Sequence, residues 1–413
     1  MKTLIIASYD SFLTAGARLA SRMEEHGVDV DVAVLRIKPN QVASRQMTEA
    51  ACTRKVFDVS FDSLANPTFM GQYEGYVLSI DGPSCKRLFM RLSICSGYRP
   101  AILTLYPGLV FRFDYDGFSA RAPSDLVWLN SQKDLEKYRA LTSSLGKPDN
   151  GRNFGLATLL DEGAASEMVK CENRPSKTIV FFEQVVIPSS KADREILVRL
   201  LLDLAKKYSE HKILVKPRMK PKEKTIHKLK ADLHIEKIFQ RQKESIPSNI
   251  QITYQRAGSL LMNCDACLTI SSTVAIEAIH RGVRPVIIND FGFHDDSGVP
   301  FFLGSGLISS LADIDVDKLA EPNPAWLSDH FTEVSCTAAP LLAEFMQLAK
   351  SARENHLPPI DVSPWLGSEQ VLAELRSSYS DDDIALGWYR KPGKKLPIKV
   401  LSDIYQAFSG FFR

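Results

Sequence analysis

The chain has 413 residues, more than one hydrophobic core usually organises, so two folded domains are expected. Its 45% hydrophobic content supports fully folded domains, and a net charge of only +2 argues against a nucleic-acid binder. No apolar run approaches the roughly 18 residues that span a bilayer, and the seven scattered cysteines (52, 85, 95, 171, 264, 267, 336) suit reduced thiols in a cytoplasmic compartment.

The apolar run 4–7 predicts a first β-strand, too short to be a signal-peptide core. A helical pattern follows at 11–26, closed by Gly27, and a second strand is expected at 28–35. Further strands are expected at 76–80, 101–105 and 126–129, with helices at 84–96 and 132–145. This alternation predicts βαβ units and a parallel sheet. Polar, glycine-bearing sequence at 147–155 and a charged stretch at 170–177 bracket an expected linker region. The alternation then resumes with strand 178–182, helix 193–208, strand 212–215, helix 221–233 and strand 250–253. Residues 265–291 (DACLTISSTVAIEAIHRGVRPVIINDF) read as strand, hydroxyl-rich turn, helix, glycine stop at Gly282 and second strand. The pattern predicts an α/β protein with two Rossmann-like domains facing a cleft, at 1–165 and 175–345. Residues 346–413 are expected to form a mostly helical C-terminal tail containing Trp365 and Trp388.

Ligands of open α/β sheets bind outside the carboxyl ends of the strands, so the residues there are the candidates for chemistry. Ser271, Ser272 and Thr273 stand where a strand ends and a helix begins. They either cap the helix or hold a phosphate at its N-terminus. Glu277 lies on the same helix, solvated or facing the site. The strand KILVK delivers Lys216, Pro217 and Arg218, a sensible anion clamp, with His227 on the next predicted helix. In the first domain Asp10 and Ser11 follow strand one, Asp81 precedes Gly82, and Asp116 precedes Gly117. Asp116 and Asp81 are candidate bases for an attacking hydroxyl, against the ordinary turn role of Asp before Gly. Asp10 caps the first helix or touches substrate. His294, Asp295 and Asp296 form a loop cluster better suited to substrate contact than to a metal. Cys264-Asp-Ala-Cys267 has redox or zinc spacing but leads into a buried strand with no matching second pair, so structural thiols are expected. Nucleophile-elbow, Walker and dinucleotide-binding glycine motifs are missing, which disfavours the corresponding hydrolases, NTPases and dehydrogenases.

At these residues the chain resembles GT-B glycosyltransferases, and more closely a family associated with bacterial surface-polysaccharide genes. The resemblance is carried by PGLVF at 107–111, SDLVWLNSQKDLEKY at 124–138, FFEQVVIP at 181–188, LVKPR, TISSTVAIEA and the DFG at 290–292. It implies an acceptor-binding first domain, with Asp10, Ser11 and His294 as acceptor or loop contacts. It implies a nucleotide-sugar-binding second domain, in which Lys216, Arg218, His227, Ser271, Ser272, Thr273 and Glu277 serve the donor. No cofactor and no metal is implied. Asp114-Tyr115-Asp116-Gly117 and Lys216-Pro217-Arg218 are loosely similar to the motifs of bacterial sialyltransferases, with Tyr inserted and Lys in place of His. The implied donor is therefore a CMP-nonulosonate of the sialic or pseudaminic acid kind, and the acceptor a glycan or lipid-linked glycan in capsule or surface-polysaccharide synthesis. The basic and aromatic tail, from Trp388 to Phe412, either rests on the inner face of the cytoplasmic membrane or crosses back onto the first domain. Competing expectations are a sugar-nucleotide epimerase or hydrolase of the same fold, and a non-catalytic saccharide-binding scaffold.

Overall fold

The computed structural model describes residues 1–362 apart from 38–40, 43–46, 48–53, 96, 112–113, 161–176, 222, 224–228 and 243–244. The tail residues singled out above lie outside the described residues. Both sheets belong to one unit, Met1–Leu366. Among the described residues no helix is long and apolar enough to cross a membrane.

The first sheet contains β1 (Lys2–Ala7), β2 (Asp29–Leu35), β3 (Val56–Val59), β4 (Gly75–Ser79), β5 (Ala101–Leu105), β6 (Leu126–Leu129) and β7 (Gly151–Asn153). Their order is β3-β2-β1-β4-β5-β6-β7, and every pairing is parallel. The second sheet contains β8 (Thr178–Phe182), β9 (Lys212–Lys216), β10 (Ile250–Ile252), β11 (Ala266–Thr269), β12 (Arg284–Ile288) and β13 (Ile308–Ser309). Their order is β10-β9-β8-β11-β12-β13, again all parallel. Parallel strands covered on both faces must be apolar throughout, and β4, β5, β6 and β11 are buried along their whole length.

Helices cover the first sheet closely. A Cβ added to Gly16, on the helix Asp10–Glu25, would lie 2.9 Å from Ile5 of β1. The two strand orders also locate the crevices. Order reverses between β1 and β4 in the first sheet and between β8 and β11 in the second. At such a switch point the connections leave toward opposite faces and open a gap at the carboxyl ends.

The structure adds elements that the periodicity did not signal. Strands β3, β7 and β13 are short edge or near-edge strands, and β7 lies inside the 147–155 stretch expected to begin a linker. Beyond β13, the helix Val334–Asn355 packs on the first sheet. Its Phe345 lies fully buried against Gly75, and its Glu344 pairs with Arg152 at 2.7 Å. Its Arg353 reaches Glu74 at 3.2 Å.

Candidate functional site

At the second switch point the turn after β8 grips the turn after β11. The Gln184 side chain accepts the Ser271 N–H at 2.8 Å through Oε1 and donates to Ser271 Oγ at 3.2 Å through Nε2. Ser271 is buried, and its N–H is thereby engaged. Thr273 occupies the cap position of the helix Val274–His280 without a side-chain cap bond. Ser272 does the capping instead, its Oγ accepting the Val274 N–H at 3.3 Å. Among the described residues no acceptor pairs with the N–H of Ser272 or Thr273. The hydroxyl turn is thus part cap and part open donor set. The helix ends as its glycine predicts: Gly282 has φ +66°, its N–H donates to Ile279 O and the Val283 N–H donates to Ala278 O.

Beside this turn, β9 delivers a half-buried Lys216 and an exposed Arg218. Lys216 Nζ donates to Pro217 O at 3.2 Å, and the Arg218 N–H donates to Glu183 Oε2 at 3.3 Å. Glu183 is itself buried against Arg194, Nη1 to Oε1 at 2.6 Å. Burial pushes the Glu183 carboxyl up, against the pull of the Arg194 guanidinium. Glu277 is half-buried within the helix, and His227 lies outside the described residues.

The first switch point gathers the acids. Asp10 is buried at the start of the helix after β1 with Ser11 beside it, while Tyr9, not Asp10, holds the cap position. The Asp81 N–H donates to Ser8 Oγ at 3.2 Å, tying the β4 turn to the β1 turn. Asp81 caps the helix Gly82–Leu92: Oδ1 accepts the Ser84 N–H at 3.0 Å and Oδ2 accepts the Ser84 hydroxyl at 2.8 Å. Asp116 lies on the helix Asp114–Ser119 and pairs with Lys86 at 2.5 Å. Arg121 holds both acid-bearing turns, donating to Ile80 O at 2.8 Å and Gly117 O at 3.0 Å while its guanidinium stacks 3.8 Å from the Tyr106 ring centre. Tyr9 faces Asp81 closely enough for that carboxylate, after burial, to push the Tyr9 hydroxyl up.

The two crevices meet. A Cβ on Gly108 would lie 3.5 Å from the Thr273 methyl, and one on Gly298 would lie 2.9 Å from both Phe111 Cζ and Ser271 Oγ. Behind the contact is a small cavity lined by Asn130 and Asp134 from the first half and Ile276, Phe301 and His330 from the second. Burial raises the Asp134 carboxyl to about 7 and lowers the His330 imidazole.

Of the sequence candidates, Lys216 and Arg218 follow β9 and Ser271, Ser272 and Thr273 follow β11, on either side of the β8 turn that bonds to both, while Asp10 and Ser11 follow β1, Asp81 follows β4 and Asp116 lies on the helix Asp114–Ser119. His294, Asp295 and Asp296 are exposed on a short turn in which the His294 N–H donates to Ser297 Oγ at 3.3 Å. Among the described residues no group of three or more His, Cys, Asp or Glu is placed to hold a metal ion. Cys264 and Cys267 are free thiols, buried so that the first is pushed up to about 12 and the second well above its ordinary value. Gln184, Glu183, Arg194, Tyr9, Lys86 and Arg121 escaped the sequence reading. Each acts through a partner distant in sequence, apart from Arg194 with Glu183, and that pair carries no motif.

Two parallel Rossmann-like sheets whose carboxyl ends face each other define the GT-B fold, shared by enzymes that handle nucleotide sugars. The chain aligns over 84% of its length with all of the Methanocaldococcus jannaschii UDP-GlcNAc 2-epimerase, solved with UDP-GlcNAc and UDP, at 12% identity and TM-score 0.57. It aligns over 96% of its length with all of S. aureus MnaA, solved with UDP, at 13% identity and TM-score 0.51. No curated protein matches the sequence. The chain belongs to the family described as "Putative glycosyltransferase (DUF6716)", whose profile matches residues 3–347.

Proposed function

We propose that the chain transfers a sugar from a nucleotide-sugar donor, bound at the carboxyl ends of β8, β9 and β11, to a glycan acceptor bound at the carboxyl ends of β1, β4 and β5. The observation that carries this reading is the meeting of the two switch-point crevices at Thr273 and Gly108 and at Gly298 and Phe111. A donor phosphate in the second crevice finds Lys216, Arg218, the open N–H groups of Ser272 and Thr273, and the hydroxyls of that turn. Fixed donors of this kind stabilise the charge that builds on a leaving nucleotide without a metal. In this reading residues 1–165 bind the acceptor and 175–345 the donor. Asp116 is the better candidate base, because both oxygens of Asp81 are engaged by Ser84 in capping. Lys86 pairs with Asp116 at 2.5 Å and holds its carboxylate at the crevice.

The nucleotide separates two donor readings. The loose likeness of 114–117 and 216–218 to sialyltransferase motifs favours CMP-nonulosonate, and the solved relatives of similar fold hold UDP. A thermal-shift screen of CMP, UDP, GDP and their sugars decides between them, since a ligand of the native state raises apparent stability. We expect one nucleotide to raise the Tm, Arg218→Ala to abolish that shift, and nucleotide release to depend on added acceptor and to survive EDTA. Asp116→Asn should lower that release by about 10²–10⁴-fold at unchanged nucleotide affinity. Conversion of the donor without acceptor would establish the epimerase or hydrolase instead. Absence of any turnover would leave a saccharide-binding scaffold.

A further inference from the structure

The ion pair beneath the donor crevice is costly to bury. Arg194 and Glu183 have side chains only 1% exposed. Replacing such a pair by apolar residues of similar shape is often neutral or stabilising, so stability alone does not account for it. Its contacts point elsewhere. Arg194, on the helix Lys191–Lys207, donates to Val185 O at 2.5 Å and Gln184 O at 3.4 Å through Nη2, and to Leu233 O at 3.2 Å through Nη1. Glu183 spends one oxygen on Arg194 and the other on the Arg218 N–H. Gln184, whose main chain Arg194 holds, is the residue that grips Ser271 at both its N–H and its hydroxyl. On the far side, His234 Nε2 lies 3.0 Å from Met219 O and steadies the same β9 turn.

We propose that Arg194 is a positioning residue which, through Glu183 and Gln184, sets the spacing between Arg218 and Ser271 across the donor crevice. The proposal rests on the nucleotide-sugar reading of that crevice. No loop of the three carries enough local structure to hold this spacing alone: 183–185 has no regular structure, the β9 turn is held by Glu183 at Arg218 and by His234 at Met219, and the Ser271 N–H is fixed by Gln184. A guanidinium satisfies the geometry because its rigid fork donates in several directions at once, which an ammonium on a flexible stem does not reproduce.

The test uses the full chain carrying Glu183→Leu with Arg194→Met, which removes both charges together. The Tm of the double variant should stay near that of the parent. Its affinity for whichever of UDP and CMP the parent binds should fall at least tenfold, and the Ser271 and Arg218 amides should exchange hydrogen at least tenfold faster. Arg194→Lys should rescue neither. Gln184→Met cuts only the last link, with no buried charge involved, so it reads the proposal even where the double variant does not fold. It should accelerate exchange at Ser271 and weaken the same nucleotide at least threefold. Parental affinity and exchange in Gln184→Met and in the folded double variant overturn the positioning role alone. A parent chain that binds neither UDP nor CMP overturns the reading of the crevice, and the positioning role with it.

Discussion

Asp81, Asp116 and Asp134 are all acids near the cleft, and their neighbours assign them different work. Asp81 is a helix cap with two bonds to Ser84, and Asp116 is an ion-paired carboxylate at the crevice. Asp134 is 4% exposed and lines the cavity between the halves. Burial holds its carboxyl at about 7, opposed by Ser131 and Lys137 and reinforced by Asp114, against an ordinary value of 3.8. The folded chain then keeps a proton there that the unfolded chain releases. Stability from this group is therefore fully present below about pH 4 and is lost as pH rises toward 7. Asp134→Asn removes that loss: urea titrations should find the variant equal to the parent near pH 4 and more stable by roughly 1–4 kcal/mol at pH 8. A stability difference that does not change with pH would show that folding leaves the Asp134 carboxyl unshifted.

At the scale of elements, the central strands were legible because parallel strands buried on both faces leave unbroken apolar runs such as LIIA, AILTL and TIVFF. The edge strands were not, since GRN in β7 has no strand-forming side chain and exists because β6 offers it a ladder. Likewise nothing local says that the helix Val334–Asn355 belongs on the first sheet. Its docking is fixed at Gly75, where an added Cβ would lie 2.8 Å from Phe345 Cζ and 3.3 Å from Thr3 Oγ1. Phe345 is fully buried, so a shift of its ring must be taken up by its neighbours. Gly75→Ala should therefore cost about 1–3 kcal/mol in chemical denaturation, and Phe345→Leu in the same chain should return part of it. If Gly75→Ala is neutral, the helix is not seated as tightly as this contact requires.

At the scale of the molecule, the site depends on the two halves meeting. Gly298 has φ +70°, and a side chain there would press on Phe111 from the first half and on Ser271 from the donor turn. Gly298→Ala adds a backbone penalty of about 1–2 kcal/mol and pushes on both neighbours. We expect nucleotide affinity to fall more than that stability loss explains, which calorimetric titration and thermal melts on the same samples would measure. Loss of stability with full affinity would uncouple the seam from the donor site.

The sequence alone determined the alternating elements, the hydroxyl turn at Ser271 to Thr273, the Lys216 and Arg218 strand end and the acids of the first half. Periodicity, capping and turn chemistry act over a few residues, so they can be read locally. Only the tertiary structure decided which donors of the hydroxyl turn stay open. Gln184 claims the Ser271 N–H from 87 residues away, and Ser272 spends its oxygen on Val274. It also decided that Asp116 pairs with Lys86, 30 residues distant. Hydrogen bonds to side chains far along the chain are set by strand order, and strand order is settled only when the sheets assemble.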